Sequence, residues 1–283
     1  MTDPSNAEAD RLSAGATIGR TALCVSDLEE LTEFYRTVVG LRVLRRTEAR
    51  ALLGADETPL LVLERDGDVP SRHRSATGLF HNAFRVPTRG ALGDALHRIQ
   101  DRWHLGGASD HGVSEALYCT DPEGNGVEIY RDHPRDLWPR ADDDRIRMTT
   151  EPLDLASIGE AAAGDDHVPP GTDLGHVHLE VSSLEAFRGF YVDVLGFEVT
   201  TTVPGAVFVS AGGYHHHLGA NTWHHRTKQV EGRGLSWLEV VLPGASDLEA
   251  LRNRLENHDI SISERDDGIA VTDPDGIEVR CRV

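Results

Sequence analysis

From Ile18 to Val25 the chain is largely apolar, and at Ser26 its rhythm changes: Leu28, Leu31, Tyr35 and Val38 recur every three or four residues. The first pattern predicts a strand and the second a helix with one apolar stripe. Ser26 and Glu29 have the spacing of a capping box, and Gly40 supplies a stop. Leu41 to Thr47, Ala49 to Gly54 and Leu60 to Arg65 then read as three strands, completing a βαβββ unit. A second unit follows, with a strand from Leu79 to Val86 and a helix near Gly90 to Trp103. Its closing strands, Val113 to Cys119 and Gly126 to Tyr130, flank the turn Asp121-Pro122-Glu123-Gly124.

The pattern then repeats. Gly19, Val25, Ser26, Leu28, Glu29, Phe34, Tyr35 and Gly40 return 156 positions later as Gly175, Val181, Ser182, Leu184, Glu185, Phe190, Tyr191 and Gly196. Gly78, Leu79 and Pro87 return as Gly234, Leu235 and Pro243. A third unit therefore begins at Leu174 to Val181 and a fourth at Leu235 to Leu242. The fourth closes with Thr272-Asp273-Pro274-Asp275-Gly276 and a strand from Ile277 to Arg280. Two substitutions break the repeat: Arg20 becomes His176, and His81 becomes Trp237. A scaffold that keeps its framework while histidines occur in some copies only points to one active metal site and one silent relative.

At 283 residues the chain has room for two domains of roughly 100 to 150 residues each. We expect a flexible arm at 1–16, units one and two at 17–134, a linker at 135–172 with a short helix around Leu153 to Ala162, and units three and four at 173–283. The net charge is −19, from 28 Lys+Arg against 47 Asp+Glu, and Lys228 is the single lysine. Such a surface repels nucleic acid and anionic membranes. It suits a salt-rich cytoplasm, where screening relieves self-repulsion, although a GC-rich genome would also favour Arg over Lys. Cys24, Cys119 and Cys281 are few, scattered and set in apolar runs, so they read as reduced core residues. No segment resembles a signal peptide or approaches the roughly 20 apolar residues of a membrane span, which predicts a cytoplasmic protein.

Gly175-His176-Val177-His178, Phe190-Tyr191, Leu195-Gly196-Phe197 and Asp121-Pro122-Glu123-Gly124-Asn125-Gly126-Val127-Glu128 together resemble the vicinal oxygen chelate superfamily of glyoxalases, bleomycin-resistance proteins and extradiol dioxygenases. The likeness spans residues 17 to 283. It is strongest to the four-module bacterial catechol 2,3-dioxygenases, through the segment from Ser109 to Tyr118 and the segment from Gly212 to Gly219. The resemblance implies an α+β fold of four βαβββ modules forming two half-barrels.

It also implies two His ligands and one Glu ligand around a divalent metal, with one face left open. Units three and four lack a histidine at Trp237, and unit one carries Arg20 at its first-strand position. Units two and three offer His81, Glu128 and His176, which makes the inner pair the expected site. Units one and four would then form a metal-free half-barrel containing Arg20, Trp237 and Glu278. A lone strand histidine such as His81 is more commonly a satisfied one, whereas Glu128 in an apolar strand is harder to dismiss, because a buried unpaired carboxylate costs several kcal/mol. His178 shares a strand face with His176 and stays an alternative.

By the same resemblance Fe(II) is the expected metal, with Mn(II) as the alternative. His216, placed with His215 and His217 in the last strand of unit three, would be the acid/base residue. Tyr118, ten residues before Glu128, would bind the substrate oxygen unless it is simply a core aromatic. His111 would line the pocket or cap a turn. The implied activity is extradiol cleavage of a catechol by O2, so the expected partners are a small aromatic diol and O2, and a homo-oligomer is left open. The rivals are a glyoxalase-like isomerase, which needs a fourth ligand where this chain has Leu218-Gly219-Ala220, and a metal-free binder of the bleomycin-resistance type.

Overall fold

The units pair out of chain order. The computed structural model describes residues 11–143 and 145–283. Unit one supplies β1 (Thr17–Val25), β2 (Arg42–Arg46), β3 (Arg50–Ala55) and β4 (Thr58–Arg65). Unit two supplies β5 (Gly78–Arg85), β6 (Gly107–Asp110), β7 (Ser114–Thr120) and β8 (Gly126–Asp132). Unit three gives β9 (Asp173–Glu180), β10 (Glu198–Val203), β11 (Ala206–Ser210) and β12 (Leu218–Asn221). Unit four gives β13 (Gly234–Val241), β14 (Ser263–Arg265), β15 (Gly268–Thr272) and β16 (Glu278–Arg282). One sheet runs β14-β15-β16-β13-β1-β4-β3-β2 and the other β10-β11-β12-β9-β5-β8-β7-β6. The outer units thus share one curved sheet and the inner units the other, joined by the antiparallel seams β1/β13 and β5/β9. Within each unit the first strand lies parallel to the last, as the intervening helical crossover permits.

The helices tie together what the sheets separate. Helix α1 (Leu28–Phe34) runs into a π turn, Tyr35–Val39, and ends at Gly40 in the left-handed region, φ 92°. Tyr35 donates to Asp121 Oδ2 at 3.0 Å, and its repeat Tyr191 donates to Asp273 Oδ2 at 3.1 Å. Asp121 Oδ1 accepts the N–H groups of Glu123 and Asn125, and Asp273 Oδ1 those of Asp275 and Ile277. The repeated tyrosines and Asp-Pro turns are therefore two ends of one latch, which fastens unit one to unit two and unit three to unit four.

Three local expectations are corrected. The capping box at Ser26 does not form: Asp27 caps α1, and the Ser26 N–H and hydroxyl both reach Glu123 Oε1, at 2.8 and 2.7 Å. Glu123 on the neighbouring turn outcompetes Glu29, which lies on the exposed face. Residues 11–16, expected to belong to a flexible arm, are held: Leu12 is buried and its N–H bonds Gly196 O at 2.7 Å. The rest of that arm, 1–10, lies outside the described residues. His215 to His217 precede β12 rather than lying in it, because Gly212 and Gly213, at φ 62° and 67°, turn the chain first.

The segment between units two and three carries a helix, α3 (Leu155–Glu160), which packs on α2 (Arg89–Arg102) where Gly93 permits close approach. Its Trp138 and Ile146 are buried with Val113 and Tyr214. Among the described residues no helix is long and apolar enough to cross a membrane.

Candidate metal centre and cavity

Strand geometry gathers the site on the inner sheet. His176 on β9 lies opposite Ala83 of β5, which in turn lies beside Glu128 of β8, so small Ala83 leaves room between two longer ligating side chains. His81 sits two residues earlier on β5 and faces the same way. His81 Nε2 is 3.0 Å and His176 Nε2 3.2 Å from Glu128 Oε2, and one ligand atom from each residue lies within 4.8 Å of the others. All three side chains are buried. Gly175 sets the place of His176, because a β-carbon there would overlap the Tyr130 hydroxyl.

The donor set fits a divalent metal. Despite its short distance from Glu128, His81 Nε2 lacks the alignment of a hydrogen bond and is an orphaned buried nitrogen. Burial pulls His176 down to about 4, keeping a neutral ring with a free lone pair, even though Glu128 opposes the change. Burial would raise Glu128, but His176 and His81 hold it well below the usual carboxylate range. Two imidazoles and one carboxylate are the donors of a facial site for a metal such as Fe(II) or Mn(II).

The other histidines are differently engaged. His178 Nε2 meets the Asn221 amide nitrogen at 3.2 Å, and glycine at 219 makes space for its ring. His215 turns to Asp132 at 2.9 Å, and His217 Nδ1 accepts the Ala211 N–H at 3.2 Å. None of these three joins the cluster, and Gly219 offers no fourth donor where a glyoxalase would need one.

Above the triad lies a cavity of about 280 Å³. Tyr118, His111 and His216 all line it. His111 Nδ1 lies 2.6 Å from Thr149 O, which can only accept, so the ring hydrogen sits on Nδ1 and Nε2 accepts from the Tyr118 hydroxyl at 2.7 Å. Burial, with Glu128 facing it, pushes the Tyr118 phenol well above its ordinary range, which keeps it a neutral hydroxyl. The His216 ring lies against that of His176, with centroids 4.0 Å apart and planes inclined by 49°.

The walls were not foreseen. Phe80, Phe208 and Trp223 supply aromatic walls, and Val113, Met148 and Thr149 also line the cavity. Met148 and Thr149 come from the segment expected to be only a linker, and Trp223 from a loop, so neither carries a periodic signal in the sequence. Asp132, the partner of His215, shows no signal either.

The outer half-barrel requires a correction. The register pairs Ala83 with Glu128 and Glu239 with Arg280, so the counterpart of Glu128 is Arg280. Glu278, expected in that role, aligns with Gly126 and pairs with Arg265 and Arg280. The outer centre is an ion network in which buried Glu239 holds Arg20 at 2.6 Å and Arg282 at 3.1 Å.

A family model described as the Glyoxalase/Bleomycin resistance protein/Dioxygenase superfamily matches residues 17–129 and 173–280. The catechol-2,3-dioxygenase of Bacillus subtilis (strain 168) is 42% identical over 267 residues, spanning 91% of this chain and 93% of the relative. A crystal structure from Bacillus subtilis subsp. subtilis str. 168 superposes with a TM-score of 0.68 at 13% identity, covering 96% of this chain and 86% of that one. Glyoxalase I from Zea mays superposes with a TM-score of 0.58 at 17% identity, covering 95% and 92%. The structural matches share the fold, and the first relative shares sequence across nearly the full length.

Proposed function

We propose, for a chain that belongs to the Glyoxalase/Bleomycin resistance protein/Dioxygenase superfamily, extradiol cleavage of a catechol by O2. The observation that carries this reading is the convergence of His81, Glu128 and His176 on an apolar cavity that also presents Tyr118 and His216. The similarity to a catechol-2,3-dioxygenase supports it.

His81, Glu128 and His176 would hold the metal. Bound Fe(II), or Mn(II), supplies the electron path between diol and O2 that closed-shell side chains lack. The protein does the rest. Tyr118, with its hydrogen given to His111, keeps oxygen lone pairs free to accept from a diol hydroxyl. His216 is the proton acceptor beside the diol. Phe80, Phe208 and Trp223 contact the ring faces, and Val113 and Met148 keep water from the reacting carbons.

The cavity also selects by charge and size. No Lys or Arg is among its lining residues, Glu128 is its one carboxylate, and the surface charge of −19 repels anions. Its volume lies at the low end for ligand pockets, which range from about 300 to 1,000 Å³. A single-ring catechol with apolar or no substituents fits these limits, and a carboxylated one does not.

Anaerobic loading with Fe(II) or Mn(II), then addition of catechol and O2, tests the reading. A yellow ring-opened semialdehyde is expected. Formation of cis,cis-muconate, or isomerisation of the methylglyoxal hemithioacetal, would overturn it. A 3,4-dihydroxybenzoate kcat/KM at least equal to that of 4-methylcatechol would overturn the charge argument.

A further inference from the structure

We propose that Trp223 sets the size limit of the cavity at its mouth, admitting single-ring diols and rejecting diols that carry a second aromatic ring. The identity of the ligands rests on the dioxygenase reading, whereas the position of the mouth does not.

Among the described residues that line the cavity, Trp223 and Thr150 alone are exposed, and the others are buried or half-buried. A side chain that lines a cavity and also meets solvent bounds its opening. Trp223 is 45% exposed and brings the bulk of an indole to that opening, whereas Thr150 brings only a small side chain. The opening is therefore narrowed chiefly by Trp223.

The rings are layered outwards from the metal ligands. His81 lies 5.3 Å from Phe80 and 5.0 Å from His178, centroid to centroid, and Trp223 lies 5.6 Å from both of those rings. Trp223 thus stands one ring layer further out than the side chains that touch His81. A diol with its oxygens at the inner end meets walls of buried and half-buried residues. A bulky substituent can extend only towards the mouth.

Trp223 is built as a fixed wall rather than a flap. Its indole N–H donates to Pro204 O at 3.3 Å, and its backbone N–H donates to Asn221 Oδ1 at 3.2 Å. Gly205, at φ 75° in the turn between β10 and β11, packs so closely that a β-carbon there would lie 3.0 Å from the indole Cδ1. The residues that follow are pinned too. Buried Glu180 at the end of β9 meets His224 Nδ1 at 2.5 Å and Arg226 Nε at 2.6 Å. Swinging the indole aside would cost its contacts with Phe80 and His178 and its bond to Pro204. A second ring on the diol is therefore rejected by a clash with this wall.

Comparing catechol with biphenyl-2,3-diol tests the proposal. Calorimetry on the Fe(II)-loaded protein without O2 gives Kd for each diol, and steady-state kinetics with O2 gives kcat/KM. Trp223 also touches the single ring, so the ratio between the two diols is read rather than either value alone. In Trp223→Ala both ratios should move towards biphenyl-2,3-diol on the order of tenfold or more, within the range that a few pocket contacts contribute to discrimination. Trp223→Phe should fall between, and Phe208→Ala, which removes a half-buried ring beside His216, should move the ratios less.

An unchanged binding ratio in Trp223→Ala, or no binding of biphenyl-2,3-diol by that variant, overturns the proposal. An equal shift in Phe208→Ala also overturns it, because cavity volume and not its mouth would then set the limit. So does a wild type that binds biphenyl-2,3-diol as tightly as catechol. If Trp223→Ala does not fold, the shift in Trp223→Phe decides. A wild type that binds catechol but leaves it uncleaved would instead remove the dioxygenase reading, and the binding ratios would still judge the mouth.

Discussion

Arg280 lies over Trp237, its guanidinium carbon 4.0 Å from the ring centroid, and the pair fills the part of the outer half-barrel that Glu128 and His81 occupy in the inner one. Replacing a carboxylate by a guanidinium and an imidazole by an indole turns a set of metal donors into a cation–π stack. The two half-barrels should therefore answer mutation differently. Alanine at His81, Glu128 or His176 should abolish stoichiometric divalent metal binding while leaving the fold intact. Trp237→Ala should keep the metal and cost about 3–5 kcal/mol of stability, as truncation of a buried Trp does. Metal analysis with denaturant melts separates the two effects, and loss of metal in Trp237→Ala would refute the assignment.

Much of this was legible in the sequence, because a duplicated unit exposes its own exceptions. Strand and helix periods gave the units, and the Arg20/His176 and His81/Trp237 differences singled out the inner pair. Other features depend on approach across space, which periodicity does not encode. Ser26 met Glu123 instead of Glu29, and Arg280 took the register position expected of Glu278 because Arg280, like Glu128, stands seven residues after its turn aspartate, whereas Glu278 stands five after. Met148, Thr149 and Trp223 reach the cavity from irregular segments. The histidine run looked like a strand until two left-handed glycines turned the chain ahead of it.

Gly175 tests how finely His176 is placed. A β-carbon at 175 would overlap the Tyr130 hydroxyl and press on Arg85 Cβ at 3.2 Å. Gly175→Ala should cost about 1–3 kcal/mol through overpacking and weaken metal affinity by displacing the adjacent His176. Adding Tyr130→Phe removes the overlapping atom, so the double variant should regain part of both losses. Metal titration and thermal melts of the three proteins decide it: a double variant worse than Gly175→Ala would show that the clash is not the cause.

Tyr118 and His111 should behave as one unit. With the His111 hydrogen given to Thr149 O, the ring accepts from Tyr118 and orients the phenolic oxygen. Tyr118→Phe should lower kcat/KM by about tenfold, the worth of one hydrogen bond at the upper end of its range. His111→Ala should cost less, and the double variant little more than Tyr118→Phe alone, since coupled residues do not add. Fully additive losses in steady-state kinetics would mean that His111 has its own contact with substrate.

Acid should destabilise the metal-free protein through its buried imidazoles. Burial, reinforced by His215 and Arg85, pulls His217 down to about 3 from its ordinary 6.5. The unfolded chain therefore takes up the proton first. Stability is whole above the unfolded value and is lost progressively as pH falls towards the folded one. Each such ring contributes a slope of about 1.4 kcal/mol per pH unit inside that window. His217→Asn retains an acceptor for the Ala211 N–H and should show a decline shallower by that amount between about pH 6 and pH 5. Urea melts at several pH values measure the slopes, and identical slopes would exclude His217 as a source of acid lability.

Salt pulls on this molecule in two directions, and the balance can be predicted. Exposed ion pairs such as Arg46–Glu29 and Arg252–Glu264 weaken as salt rises, but each is worth only about 0–1 kcal/mol. Against them stands a net charge of −19, whose repulsion reaches across the molecule when the screening length is about 30 Å at 0.01 M. At about 1 M that length is near 3 Å, and only neighbouring charges still repel. The long-range term involves every unmatched carboxylate, so its relief should outweigh the loss of a few surface pairs. We therefore expect the unfolding midpoint to rise between dilute buffer and molar KCl, with activity following it, as suits a salt-rich cytoplasm. Thermal melts across that range give the answer: a flat or falling midpoint would mean that the acidity is composition alone and that the proposed salt-rich setting is wrong.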